Sequence, residues 1–281
     1  MTSMRYGWVL PYGDARTAAD LAVLAEEHGW DAFFVWEPVW GIDAWVALAA
    51  SAVRTERIRL GTMLTPLPRR KPWDVASQVA TLDNLSGGRT ILSVGLGAPD
   101  DRWWLFEDDP GRRVRAERLD EGLELITQLW SGRPVSFQGV HYRARAAERM
   151  VPPPPVQRPR VPIWVVGAWP RPRSMRRAAR WDGWLPYHLP RDGEAELTPE
   201  VLREGIAWIR EQRSAADLSM EGFDVIAEGT TDPTRGDAAA VARSWADAGA
   251  TWWLEADWST MDPDIVRTAA VARLSAGPPR S

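Results

Sequence analysis

The chain contains no cysteine, which excludes disulfides, thiolate metal sites and a cysteine nucleophile. Histidine is nearly as scarce: His28, His141 and His188 are the full set and stand far apart, so their spacing offers no metal-ligand set. Long apolar runs are missing too, and nothing approaches the length of a membrane span. The N-terminal MTSMRYGWVLPYGD has one arginine and an apolar core shorter than a signal peptide requires. Nor does one sign of charge dominate: 34 basic against 38 acidic residues leave a net charge of −4, too weak a field to gather nucleic acid or an anionic membrane. A soluble, cytoplasmic protein with neither nucleic acid nor membrane as partner is the expectation.

What is present is organised around residues 80–101, ATLDNLSGGRTILSVGLGAPDD. Val75, Val79 and Leu82 recur at i, i+4 and i+7, the stripe of a helix with one buried face. Ser86-Gly87-Gly88 ends that helix, since glycine accepts the left-handed geometry of a helix C-terminus. Residues 90–94 are short, β-branched and bounded by glycines, which reads as a strand buried on both faces of a parallel sheet. Gly95 and Gly97 mark its C-terminal end, where parallel α/β folds bind ligands and a missing side chain lets a ring or phosphate approach the backbone. A tight turn without a ligand is the plain alternative for so short a motif.

Around this unit strand and helix alternate. Strands are predicted at 6–10, 31–36, 58–64, 90–94, 163–166, 183–187, 223–227 and 251–255. Helices fall between them at 15–28, from Asp43 to about 53, up to Ser86, and at 113–130, 173–180, 198–213 and 237–248, with a last one to 274 opened by Asp262-Pro263. Eight such units across residues 1–281 argue for one (β/α)8 barrel, with an open doubly wound sheet as the competing closure. Between 131 and 161 the rhythm breaks into a hairpin around Gln138-Gly139 and a proline-rich connection. This insertion reads as a stiff return to the barrel rather than a docking motif, because the next strand follows at once.

In a barrel the site lies at the C-terminal strand ends. Here these are Pro11-Tyr12, Trp36-Glu37, Leu64-Thr65, Gly95-Leu96-Gly97, Gly167-Ala168, Tyr187-His188, Glu228 and Glu255-Ala256-Asp257. Aromatic walls with glycine gaps suit a large planar ligand. Arg171, Arg173, Arg176 and Arg177 precede or enter a helix after the fifth strand, and Arg69, Arg70 and Lys71 follow the third. Each cluster alone reads as solvated surface, but two on one rim favour a phosphorylated ligand. Glu37, Glu228 and Glu255 would bind a hard cation only if they converged, and rim glutamates also pair with arginines, so no metal is expected. Most of the 18 tryptophans, among them Trp8, Trp45, Trp73, Trp130, Trp164, Trp208 and Trp245, read as core. Trp36, Trp40, Trp103, Trp104, Trp169 and Trp258 lie on or beyond the rim, and with Tyr12 could wall a substrate pocket.

The stretches RIRLGTMLTPLPRRKPWDVASQVATLDNLSGGRTILSVGLGAPDD and VPIWVVGAWPRPRSMRRAARWDGWLP, in order and at matching spacing, resemble the bacterial-luciferase-like oxidoreductases. The resemblance covers nearly the whole chain and implies a (β/α)8 barrel that uses coenzyme F420, the first choice, or FMN on a small-molecule substrate. It places the cofactor ring near Thr62, Met63, Leu64, Gly95 and Gly97, with a non-proline cis peptide near Met63-Leu64, and its phosphate near Gly167, Ala168, Trp169, Arg171 and Arg173. Two departures follow. Many members carry Asp-His after the second strand, where this chain reads Glu37-Pro38, and the glutamate that some F420 enzymes use stands where this chain has Ala98.

Glu37 or His188 is then left as the proton-transfer group. A carboxyl at position 37, partly buried beside Trp36, is expected to have a raised pKa and to act as an acid, or else to pair with a rim arginine. The expected activity is hydride transfer between cofactor and organic substrate. An FMNH2- and O2-dependent monooxygenase and a non-catalytic flavin-binding barrel are the alternatives, and a homodimer is left open.

Overall fold

The first strand, β1 (Arg5–Leu10), is hydrogen-bonded along both edges. Gly7 to Leu10 run parallel to β2 (Ala32–Val35), while Arg5 to Trp8 run parallel to the last strand of the chain, at Trp252–Glu255. A first strand paired with the last closes the sheet and removes its edges. The computed structural model describes residues 4–97, 103–146 and 153–280. The circuit continues from β2 through β3 (Arg59–Thr62) with its two-residue extension β4 (Thr65–Pro66), then to β5 (Thr90–Gly95). A two-stranded hairpin, β6 (Phe137–Gln138) and β7 (Arg143–Ala144), lies outside it. β8 (Ile163–Trp169), β9 (Gly183–His188), β10 (Asp224–Gly229) and β11 (Trp252–Glu255) complete the ring. All barrel neighbours are parallel, so the expected (β/α)8 barrel is the observed one.

The helices between strands are α1 (Ala15–Glu27), α2 (Ala44–Ala52), α3 (Pro72–Ser86), α4 (Arg112–Leu129), α5 (Pro172–Ala179), α6 (Pro199–Ala215), α7 (Ala238–Ala248) and α8 (Pro263–Ser275). Their starts follow the local chemistry. Asp43 accepts from the Trp45 and Val46 amides, each at 3.0 Å, and Asp262 and Thr198 cap α8 and α6 with proline at the next position. Gly87 ends α3 in the left-handed conformation. Among the described residues no helix is long and apolar enough to cross a membrane.

Successive strand residues point to opposite faces, and here they divide the core in two. Val9, Phe34, Met63, Ile91, Trp164, Leu185, Ile226, Trp252 and Leu254 fill the barrel. Leu10, Phe33, Val35, Leu60, Leu92, Val94, Val165, Trp184, Val225 and Trp253 pack outward against the helices. Trp164 sits 5.2 Å from Trp252 and 5.4 Å from Phe34 between ring centroids, so indoles plug the interior and leave the open end at the C-terminal rim. Below them Arg5 pairs with Asp224, which also accepts from Trp164 Nε1 at 3.1 Å. Trp73, expected in the core, is 45% exposed.

One stretch differs from the sequence reading. The third strand is not continuous over 58–64: pairing stops at Thr62, the Met63–Leu64 bond is cis, and strand geometry resumes at Thr65. The connection after β7 is tied back to the barrel underside by Asp83, whose carboxylate accepts from the Val156 and Gln157 amides at 2.7 and 3.0 Å, as the stiff return read from the sequence requires.

Candidate active site

The same alternation decides which rim residues face the mouth. Continuing the inward series upward gives Trp36 above Phe34, Gly95 above Ile91 and Ser93, Ala168 above Val166, Tyr187 above Leu185, Glu228 above Ile226 and Ala256 above Leu254. The outward series gives Glu37, Thr62, Gly167, Trp169, His188 and Glu255. Six residues that are neighbours in sequence to mouth residues are thereby turned towards the helices.

Above Ile91 the inward face of β5 carries only the small residues Ser93 and Gly95. A Cβ at Gly95 would lie 3.0–3.2 Å from Leu64 and Val166 side-chain carbons, so these two close over the buried glycine and leave room for backbone only. One step deeper, Ser93 is fully buried and its Oγ has no hydrogen-bond partner. A glycine above an unsatisfied buried hydroxyl is the chemistry that the polar edge of a flavin or deazaflavin ring would meet here. Gly97 follows at φ +78°, a conformation that favours glycine. Arg115 of α4 fixes that turn by donating to the Leu96 and Gly97 carbonyls at 3.2 and 2.8 Å. Ala98 lies outside the described residues.

Glu37 belongs to a brace behind this surface. Its carboxylate pairs with Arg70 and accepts from Thr65 Oγ1 at 2.5 Å and Trp45 Nε1 at 3.2 Å. Thr65 Oγ1 in turn meets Thr62 Oγ1 at 2.9 Å. Glu37 is 6% exposed and Thr62 fully buried. The geometry therefore matches the ion-pair alternative for Glu37, and Thr62 supports the Met63–Leu64 step from outside rather than offering its hydroxyl to the mouth. His188 also points away from the axis, its Nδ1 2.7 Å from the Glu196 carbonyl oxygen.

The glycine gap at 167 is filled. A Cβ there would stand 2.6 Å from the Trp184 indole, whose Nε1 donates to the Gly167 carbonyl at 2.9 Å. Trp169 packs on Trp208 of α6 at 6.4 Å. What this region does offer an anion is the start of α5. Arg171 occupies the N-cap without a side-chain cap bond, which leaves first-turn amides open, and Arg173 is exposed on that turn. Arg171 donates to the Pro190 carbonyl at 2.8 Å. The sequence cluster otherwise disperses: Arg176 and Arg177 are in the last turn of α5, and Arg177 pairs with Asp120 of α4. The second cluster is also committed internally, Arg70 to Glu37 and Arg69 to Glu107, with the Arg69 guanidinium 5.6 Å from the Trp103 ring centre.

The opposite side of the mouth is aromatic. Tyr12 lies 6.2 Å from Trp36, and Trp36 lies 6.0 Å from Trp258 in an edge-on contact. Trp258 Nε1 donates to Glu228 Oε1 at 2.7 Å. Removal from water pushes the Glu228 carboxyl above the usual carboxylate range, and the Trp258 hydrogen bond offsets only part of this. Trp40, expected in the wall, is 83% exposed, and the Trp104 side chain lies outside the described residues. Trp258 stands in the wall as the sequence suggested, whereas Ser93 and Glu228 are mouth residues to which the sequence gave no role in holding cofactor or substrate. Their signal, the parity shared with Ile91 or Ile226, becomes readable only once the inside of the barrel is known.

The family model for luciferase-like monooxygenases matches residues 3–276. A Mycobacterium tuberculosis protein provisionally named a coenzyme F420-dependent oxidoreductase is 34% identical over 239 residues, 80% of this chain and 65% of that one. An F420-dependent glucose-6-phosphate dehydrogenase of Nakamurella multipartita is 34% identical over 235 residues, 77% of this chain and 66% of its own. The matches thus span just under two thirds of these relatives' lengths. Among solved structures, the coenzyme F420-dependent tetrahydromethanopterin reductase of Methanopyrus kandleri has a TM-score of 0.73 over 95% of this chain and 97% of that one, at 18% identity. That last likeness is one of fold.

Proposed function

The chain belongs to the luciferase-like monooxygenase family, and on that premise we propose that it is an oxidoreductase moving a hydride between coenzyme F420, or FMN, and a small organic substrate. The observation that carries this reading is the end of β5, where Gly95, with room for backbone only between Leu64 and Val166, lies above the buried and unpartnered Ser93 hydroxyl. The names of the relatives, F420-dependent in both cases, favour the deazaflavin. Such a cofactor supplies the hydride chemistry when bound.

The protein's part is to place and shield. Met63, Leu64, Gly95 and Gly97 would seat the ring, and Arg171, Arg173 and the first-turn amides of α5 would hold its phosphate. Ala168 would border the ring from β8. Glu37 acts in this proposal as a positioning residue, since through Thr65 and Thr62 it steadies the segment on which the ring rests. Tyr12, Trp36 and Trp258 would exclude water and wall the substrate.

Side-by-side fluorescence titrations with F420 and FMN test the reading. Saturable binding of F420, weakened by filling the β5 surface, is the expected result. Binding of neither cofactor would overturn it, and oxygen uptake coupled to reduced FMN would move the assignment to a monooxygenase.

A further inference from the structure

We infer that Glu228 is the group that exchanges a proton with the substrate, and that Trp258 sets its proton affinity; this rests on the hydride-transfer reading above. Three observations converge. Glu228 has the parity of Ile226, so its side chain enters the mouth from the end of β10. It faces the aromatic wall, held to Trp258, which stands edge-on to Trp36. Finally, among the described residues it makes no ion pair, whereas Glu37 is bound to Arg70 and Glu255 to Arg273. The two other rim glutamates are thus each fixed by a cation. A carboxyl left half-buried with a single neutral donor can change its charge without dismantling anything.

The surrounding charges allow that change. On β9 the adjacent inward residue is Tyr187. At the end of β11, Glu255 is turned outward and fully engaged by Arg273, Thr231 and Trp253, and Asp257 accepts from the Ser259 amide. Across the mouth Tyr12 and Trp36 present rings, and Glu37 lies behind the wall with Arg70. Desolvation and the Trp258 N–H are then the two influences acting on Glu228.

The step balances as follows. When an alcohol carbon loses hydride to the oxidised cofactor, its hydroxyl proton passes to the Glu228 carboxylate, which leaves a carbonyl and a carboxylic acid. In reverse, hydride reaches the carbonyl carbon and the Glu228 proton reaches its oxygen. A hydroxyl- or carbonyl-bearing substrate with apolar flanks, able to lie against Tyr12 and Trp36, is the class this arrangement accepts.

The test uses wild type, Glu228→Gln and Trp258→Phe, loaded with F420 and assayed on a panel of secondary alcohols and ketones. Glu228→Gln is expected to bind F420 as wild type does while kcat falls about 10²-fold or more, the scale of a lost general acid or base. Trp258→Phe removes a bond that favours the carboxylate, so the inflection of its kcat–pH profile should move to higher pH. A readout without turnover accompanies this: the indole 15N–1H resonance of Trp258 should titrate with Glu228 in wild type and lose that step in Glu228→Gln. Wild type that binds F420 and turns over, with Glu228→Gln equal in rate and pH profile, overturns the role of Glu228 alone. Wild type that binds neither F420 nor FMN overturns the functional reading and this inference with it.

Discussion

The indole of Trp184 occupies the space a side chain at Gly167 would take, and its Nε1 donates to the Gly167 carbonyl at 2.9 Å. Gly205 of α6 meets the far edge of the same ring, so two glycines let one tryptophan lock β8, β9 and α6 together. Gly205→Ala is expected to destabilise by about 1–3 kcal/mol, the usual cost of overpacking a filled core. Urea unfolding reads it, and an unchanged midpoint would mean that α6 simply shifts outward.

Glu37→Gln should act on stability more than on chemistry. Glutamine can still accept from Thr65 and Trp45, but Arg70 loses its counter-charge. The cost is expected at about 1–3 kcal/mol, below that of a fully buried pair because the Arg70 side chain keeps 28% exposure. Thermal unfolding compared with the pH profile of turnover separates the roles: a lower Tm with an unmoved profile is expected, and a lost acid limb at wild-type Tm would restore Glu37 as the acid.

Gly95→Val forces Leu64 and Val166 apart and puts a side chain where only backbone stands. Weakening of F420 binding by about tenfold or more, equivalent to about 1.4 kcal/mol, is expected in protein that still shows cooperative unfolding. Fluorescence titration measures it, and wild-type affinity would place the ring elsewhere.

Replacing both Arg171 and Arg173 by glutamine should cost about 1–2 kcal/mol of cofactor affinity at low salt, since charge-assisted bonds are lost while helix amides remain. The difference should narrow as salt rises, because Arg173 is exposed and screened. Isothermal titration at two ionic strengths checks both parts.

A carboxyl whose folded pKa is raised binds its proton more tightly in the native state than in the unfolded one. Glu228 is such a group, so its contribution to stability is fullest below the ordinary carboxyl value and is lost as pH climbs through that value towards the folded one. Relative to Glu228→Gln, wild type should therefore lose Tm as pH rises across this window. Paired melting curves measure it, and parallel curves would show an unshifted carboxyl.

Local chemistry was enough to determine much of this protein. Helix starts at Asp43, Thr198 and Asp262 and the stop at Gly87 depend on residues within a turn of one another, and eight apolar runs alternating with them leave a parallel sheet between helices, closed or open, as the compact solution. The rim residues were countable for the same reason. Which of them face the mouth was not. Barrel strands are apolar on both faces, so Val35 and Phe34, or Trp252 and Trp253, look alike in sequence although one fills the barrel and the other meets a helix.

Closure of the ring assigns the faces, and with them turns Glu37 and His188 outward and Glu228 inward. It also brings Trp258 to Glu228 and Arg70 to Glu37, contacts spanning 30 and 33 residues. No local pattern encodes such pairs, because the geometry that makes them neighbours exists only after the last strand has paired with the first.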